Sequence, residues 1–113
     1  MPFALDPGRL THQVVIQGIG ARTPDGGGGY ATSYAEIANG TVWAEVRPLS
    51  GNERLRAMKT TANATHMVTI RYRNDVSAKN RILHDGRAFK IVAPPIDPDE
   101  RHDWLQLLCS EEA

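Results

Sequence analysis

Arg81-Ile82-Leu83-His84-Asp85-Gly86-Arg87-Ala88-Phe89-Lys90-Ile91-Val92 is the stretch that decides the fold class. Two apolar-rich runs flank the dipeptide Asp85-Gly86. Asp-Gly suits a two-residue type I′ turn, because both central residues of that turn need positive φ. The reading is therefore a tight β-hairpin. In its register Ile82 opposes Phe89, a core pair, and Arg81 opposes Lys90, a basic pair on the outer face.

Upstream of the hairpin, Ala64-Thr65-His66-Met67-Val68-Thr69-Ile70-Arg71-Tyr72-Arg73 alternates with period 2. His66, Val68, Ile70 and Tyr72 share one face; Thr65, Met67, Thr69, Arg71 and Arg73 share the other. Thr41–Arg47 is a further strand, with Val42, Ala44 and Val46 on one face and Pro48 closing it. Leu10–Gln17 is another, with Leu10, Val14 and Ile16 facing a core. Ser50 and Glu53 have the spacing of a capping box. They precede good helix formers, Arg54-Leu55-Arg56-Ala57-Met58-Lys59. One short helix is expected over 51–60, packed across the sheet by a stripe of Leu55, Met58 and Ala62. Downstream, Pro94–Glu100 is a rigid acidic connector. Asp103–Ser110 then reads as a strand that closes the sheet, with a C-terminal helical turn as the alternative. The total is six strands and one helix: a mainly β chain, a small six-stranded β-barrel or sandwich with one short inserted α-helix.

The length of 113 residues suits a single domain over 1–113. Residues 1–8 are punctuated by proline and read as a flexible N-terminal arm. Residues 20–32 hold four consecutive glycines, Gly26-Gly27-Gly28-Gly29, between Arg22, Asp25 and Tyr30. A glycine run of this kind is entropically costly to hold in a regular element, so a mobile loop is expected. It is not a phosphate cradle, since no Lys-Ser/Thr follows it. Residues 48–63 form a helix/loop insertion. No secretory leader and no bilayer-length apolar run is legible. A lone Cys109 allows no internal disulfide and points to synthesis in a reducing cytosol.

No nucleophile–base pattern stands out, and His12, His66, His84 and His102 lack ligand spacing. The acids Asp97, Asp99, Glu100 and Asp103 lack the turn glycine of a calcium loop. No enzymatic activity, cofactor or metal is expected. Lys and Arg number 13 against 13 acids, a net charge of zero, which disfavours a dedicated nucleic-acid binder. The zero hides segregation. Residues 47–90 hold ten cations and three acids, a net of +7; residues 97–113 hold one cation and six acids, −5; residues 1–46 hold two and four, −2. Either these charges pair within one chain, or a basic edge meets the acidic edge of the next copy. A small-barrel nucleic-acid-binding module using the basic 47–90 segment is the alternative function, with Trp43 and Tyr72 as central aromatics.

Several blocks, taken in order, carry a resemblance. They are Thr11–Gln17, Val42–Glu53, His66–Arg73, Arg81–Ile91 and Asp97–Arg101. Together they span roughly residues 9–109 and resemble the phage head–tail joining family, the head-closure or stopper proteins, which also serve gene transfer agents. Gln13 departs from the Arg that often follows His in the family. The resemblance implies a barrel that assembles into a ring of 6 or 12 copies in the neck of a virion or gene transfer agent particle, with no membrane involved. On the head side the partner would be the portal-adaptor ring; on the tail side, the tail terminator or tail tube protein. Packaged DNA would fill the channel. The segment carrying Ser50, Glu53, Arg54, Arg56 and Lys59 would gate that channel or make a ring contact. Arg22, Asp25, Gly26–Gly29 and Tyr30 would form an inter-subunit loop, and Asp97, Asp99 and Glu100 an acidic docking edge. Arg54, Arg56 and Lys59 suit DNA phosphates or a neighbour's acids. The second is favoured, because a channel that must release DNA gains little from tight phosphate binding.

Overall fold

The computed structural model describes residues 7–19, 23–24, 30–31, 33–57 and 64–112. A 3-10 turn, Pro7–Arg9, leads into β1 (His12–Ile19). The short strands β2 (Thr23–Pro24) and β3 (Tyr30–Ala31) pair with each other. Then come β4 (Tyr34–Pro48), α1 (Gly51–Ala57), β5 (His66–Arg71), β6 (Arg81–His84) and β7 (Arg87–Ile91). A second 3-10 turn, Pro98–Glu100, precedes β8 (Trp104–Glu111). Six strands close into an antiparallel barrel in the order β1-β4-β5-β8-β7-β6. The expected mainly β class holds, as a barrel rather than a sandwich, and the last element is a strand.

Period-2 patterning sets the core. Val14 and Ile16 of β1, Ala44 of β4, Val68 and Ile70 of β5, Ile82 of β6, Phe89 and Ile91 of β7, and Leu105, Leu107 and Cys109 of β8 form one buried cluster. The β6–β7 hairpin has the expected register, Ile82 against Phe89 and Arg81 against Lys90. Asp85 at φ 51° and Gly86 at φ 77° make its turn. The buried Cys109 thiol is pushed up to about 12 by desolvation, which leaves it in the unreactive protonated form.

Three expectations change. The strand expected at Thr41–Arg47 begins seven residues earlier, at Tyr34. Its first part is solvated on most sides, so burial imposes no alternation there, and Asn39-Gly40 lies in a bulge within it. Leu10 precedes β1 rather than lying in it. Finally, α1 does not pack across the barrel: Leu55 is 64% exposed, and Arg54 and Arg56 are exposed beside it. Met58 and Ala62, the rest of the expected stripe, lie outside the described residues, as does 58–60 of the expected helix. Within the expected loop 20–32, the β2–β3 pairing gives regular backbone to four residues. Positions 20–22, 25–29 and 32 lie outside the described residues, as do 1–6 of the expected arm.

The bulge directs β4. Val15 pairs with Thr41, but Gln17 pairs with Glu36, so four residues of β4, Ile37–Gly40, face the single residue Ile16. Gly40 permits this because its backbone approaches β1 closely: a Cβ there would lie 2.7 Å from the Ile16 carbonyl oxygen and 2.9 Å from that of Ile37. Asn39 takes a left-handed conformation, φ 52°. Arg73 locks the bulge. Its Nη1 donates to the Asn39 carbonyl at 2.7 Å and its Nη2 to the Ala38 carbonyl at 2.9 Å, while Nε and Nη2 also hold the Asp75 carboxylate at 2.7 and 2.8 Å. Gly40→Ala is expected to destabilise the protein by about 1–3 kcal/mol, the cost of forcing backbone apart in a packed site, read as a lowered urea midpoint. An unchanged midpoint would show that the bulge relaxes freely.

Candidate functional site

β4 is 15 residues long, and its Ile37–Gly40 bulge makes it shorter than a straight strand of that length. It starts in the hairpin arm that leaves the barrel and ends at α1, so the two sequence-predicted contact segments sit at opposite ends of the molecule.

At the α1 end the capping box forms. The Glu53 amide donates to Ser50 Oγ at 3.3 Å, and the Ser50 amide donates to Glu53 Oε1 at 3.0 Å. Arg47, from the last turn of β4, grips the same carboxylate with both Nη atoms at 2.8 and 2.9 Å. This pairing, with the Ser50 amide, holds the Glu53 carboxyl down to about 2. Ser50 and Glu53 therefore shape the helix start. Arg54 and Arg56 project from it exposed, with no ion pair to any described residue. Lys59 lies outside the described residues. Below the helix, His66 packs edge-on to Phe89, ring centroids 4.9 Å apart, and its Nδ1 lies 2.8 Å from Thr65 Oγ1. Burial, aided by the nearby Arg87, pulls its imidazole below the ordinary value, so it is neutral at pH 7.

At the arm end, β1 and β4 continue past the barrel through Gly18↔Ala35 and Ile19↔Tyr34, and β2 pairs with β3 beyond them. Ile19 is half exposed, and Arg81 lies over the Tyr34 ring at 3.9 Å. Of the expected inter-subunit loop, the backbone of Tyr30 belongs to β3; Arg22, Asp25 and Gly26–Gly29 lie outside the described residues. The acidic turn stands at this end too. Asp97 is turned inward: its carboxylate accepts from the His102 amide at 3.2 Å and lies 3.4 Å from His102 Nε2. His102 in turn stacks on Tyr72, centroids 4.3 Å apart. Asp99 and Glu100 are exposed at positive φ, 59° and 53°. Thus Asp97 builds the turn, and Asp99 and Glu100 present the charge.

Much of the segregated charge pairs within the chain. Arg47 meets Glu53, Arg73 meets Asp75, Arg87 meets Glu111 and Arg81 lies 3.7 Å from Glu112. Sequence reasoning missed the last two, because barrel closure is what brings β8 beside β7. Arg54, Arg56, Arg71, Lys79 and Lys90 have no acidic partner among the described residues. Those residues also include no gathering of three His, Cys, Asp or Glu fit for a metal. No helix among them is long and apolar enough to cross a membrane.

The α1 cap titrates at acid pH. Glu53 is depressed from 4.5, so its contribution is complete above about pH 4.5 and is lost as pH falls through about 2. In Arg47→Met, carboxyl-detected NMR is expected to show Glu53 titrating closer to its ordinary value. Ser50→Ala is expected to cost the helix about 1 kcal/mol. A Glu53 titration indifferent to Arg47 would contradict the geometry.

Known proteins share this arrangement. The family model for the phage head completion protein matches residues 5–112. The head completion protein gp7 of Enterobacteria phage HK97 is 29% identical over 115 residues, covering 96% of this chain and 98% of that protein. The solution structure of protein SF1141 from Shigella flexneri 2a superposes with a TM-score of 0.74 at 31% identity, covering 96% of this chain and 98% of the other. A chain in the virion of a native gene transfer agent particle shares the fold, with a TM-score of 0.61 at 23% identity, covering 90% of this chain and 94% of that one. With a match that runs from residue 5 to residue 112 over a barrel of the same fold, this chain belongs to the phage head completion protein family.

Proposed function

We propose that this chain is a structural component of a phage-type virion or gene transfer agent particle that closes the DNA-filled head and offers a surface to the tail. The observation that carries the reading is the end-to-end family match, supported by a relative that shares the fold over nearly the whole of both chains. In the proposed assembly 6 or 12 copies form a ring in the neck, with the portal-adaptor ring above and the tail terminator or tail tube protein below. Packaged DNA lies in the channel. A subunit with contact elements at both ends suits this position. The arm, with the loop 20–32, reaches a neighbouring copy. Arg54, Arg56 and Lys59 on the 48–63 segment meet acids of a neighbour or line the channel. Asp99 and Glu100 supply the docking edge, with Asp97 holding their turn. The role is non-enzymatic.

A nucleic-acid-binding module is the weaker reading. Four of the ten cations in 47–90 already meet acids of the same chain, which reduces the field available to phosphates.

In the producing cell, loss of this chain is expected to leave packaged heads that lose DNA and carry no tails. The double variant Arg54→Glu/Arg56→Glu is expected to fold normally by circular dichroism. It should lower the yield of tailed particles by at least about tenfold, because like charge at an interface costs several kcal/mol. Normal tailed particles made without the chain would overturn the proposal. Steeply salt-dependent DNA binding by the isolated chain, with particles intact in its absence, would favour the module instead.

A further inference from the structure

The seam between β4 and β5 parts before either strand ends. Pairing runs from Pro48↔His66 to Glu45↔Thr69 and stops there. Beyond that rung β4 continues through Ala44 and Trp43, and β5 through Ile70 and Arg71. Further along, Arg73 bridges the two sides again through its hydrogen bonds to the Ala38 and Asn39 carbonyls. Between the last rung and this bridge β4 leaves a window over Thr41–Ala44. At about 3.3 Å per residue the window is about 13 Å long, room for about four residues of extended chain. A groove of about 350 Å³ lies in it, lined by Leu10, Val42, Trp43, Arg71, Tyr72 and Arg73. The lining draws on both faces of each strand. Val42 and Tyr72 have the inward parity and pack against the core. Trp43 and Arg71 have the outward parity, and 57% of the Trp43 surface is open. The groove therefore runs between the strands rather than over one face.

Strand backbone faces the groove as well. The Tyr72 amide donates to the Asp103 carbonyl on the β8 side, so the amide and carbonyl of Arg71 turn toward β4. The same alternation, carried across the Glu45↔Thr69 rung, turns those of Trp43 toward β5. Arg71 stands exposed at the rim, 5.3 Å from the Trp104 ring, with no ion pair to a described residue, while Arg73 already holds Asp75. The groove thus offers apolar walls, backbone left out of the β4–β5 ladder and one cation. An extended peptide answers all three: its backbone adds rungs, side chains of one parity enter beside Val42 and Tyr72, and a carboxylate of the other parity meets Arg71. A second copy has no barrel strand to give without opening its own closed sheet. We propose that the parted seam between Trp43 and Arg71 is a strand-addition site for an extended segment of a different protein, one that alternates apolar side chains with a carboxylate.

Titration of the peptide acetyl-Thr-Val-Glu-Val-Thr-amide into the full isotope-labelled chain, followed by NMR, tests this. Saturable shifts are expected at the Trp43 indole and at the backbone amides of Trp43 and Arg71, on both sides of the seam, while the Leu83 amide on β6 stays in place. Hydrogen exchange of the Trp43 and Arg71 amides should slow. The same peptide with lysine for glutamate should bind at least about threefold more weakly, as should the glutamate peptide to Arg71→Gln. Trp43→Ala, at an exposed position, should weaken binding about tenfold. No saturable shift with the glutamate peptide, or equal binding of the lysine one, would overturn the proposal. Shifts at the indole with unchanged exchange at both amides would reduce the groove to an apolar contact and overturn strand addition. A Trp43 signal that moves with the concentration of the chain alone would assign the groove to a second copy and overturn it too.

Discussion

Closure of the barrel rests on β1 bonding a neighbour along each of its edges. One edge pairs with β4 from His12↔Ala44 to Ile19↔Tyr34, and the other pairs with β6 over Val15–Gln17. The Ile37–Gly40 bulge lets β4 stay paired with β1 on both sides of Ile16, within the barrel and out along the arm. Gly40 lets the backbones approach, and Arg73 ties the bulge to the loop after β5. On the β6 side, Asn80 Nδ2 donates to the Gln17 carbonyl at 3.1 Å and Arg81 Nε to Gln17 Oε1 at 2.7 Å. These contacts hold both the closed core and the arm that leaves it. A closed sheet has no free edge along its paired rungs, so pairing of another chain's strand onto that sheet has no place to start there.

The same closure decides the electrostatics. Neighbouring β7 and β8 place Phe89 opposite Glu111, which puts Arg87 within reach of the Glu111 carboxylate. The pairing draws acids of the C-terminal segment onto cations of the central one. Among the described residues, Arg54 and Arg56 stand exposed without an acidic partner at the α1 end, and Asp99 and Glu100 are exposed at the arm end. In the proposed assembly, charge of opposite sign on facing surfaces would set register and encounter rate more than affinity.

The hairpin β6–β7 was legible residue by residue because Asp85-Gly86 admits few turns and its flanks alternate cleanly. The capping box was legible for the same reason: its chemistry is local, within Ser50–Glu53. The early part of β4 was not, because its solvated residues carry no period. Leu55 misled, since an apolar residue at helical spacing reads as buried whether or not a surface waits for it. Asp97 read as part of an open acidic edge, yet its carboxylate caps a turn whose partner, His102, is itself stacked on Tyr72. The hold of Arg73 on the bulge carried no signal: the carbonyls it bonds there lie 34 and 35 residues away, and only the folded bulge exposes them. Local chemistry could thus be read from the chain, and contacts made by closure could not.

The proposed function puts this closed barrel between a head and a tail, with the arm at one end and α1 at the other. Cryo-electron microscopy of the neck of the assembled particle tests that placement directly. The account predicts a closed ring of this barrel between portal and tail, with the arm reaching the adjacent copy and α1 at the other end of the subunit. A neck resolved without this chain, in a particle made by cells that express it, would contradict the account.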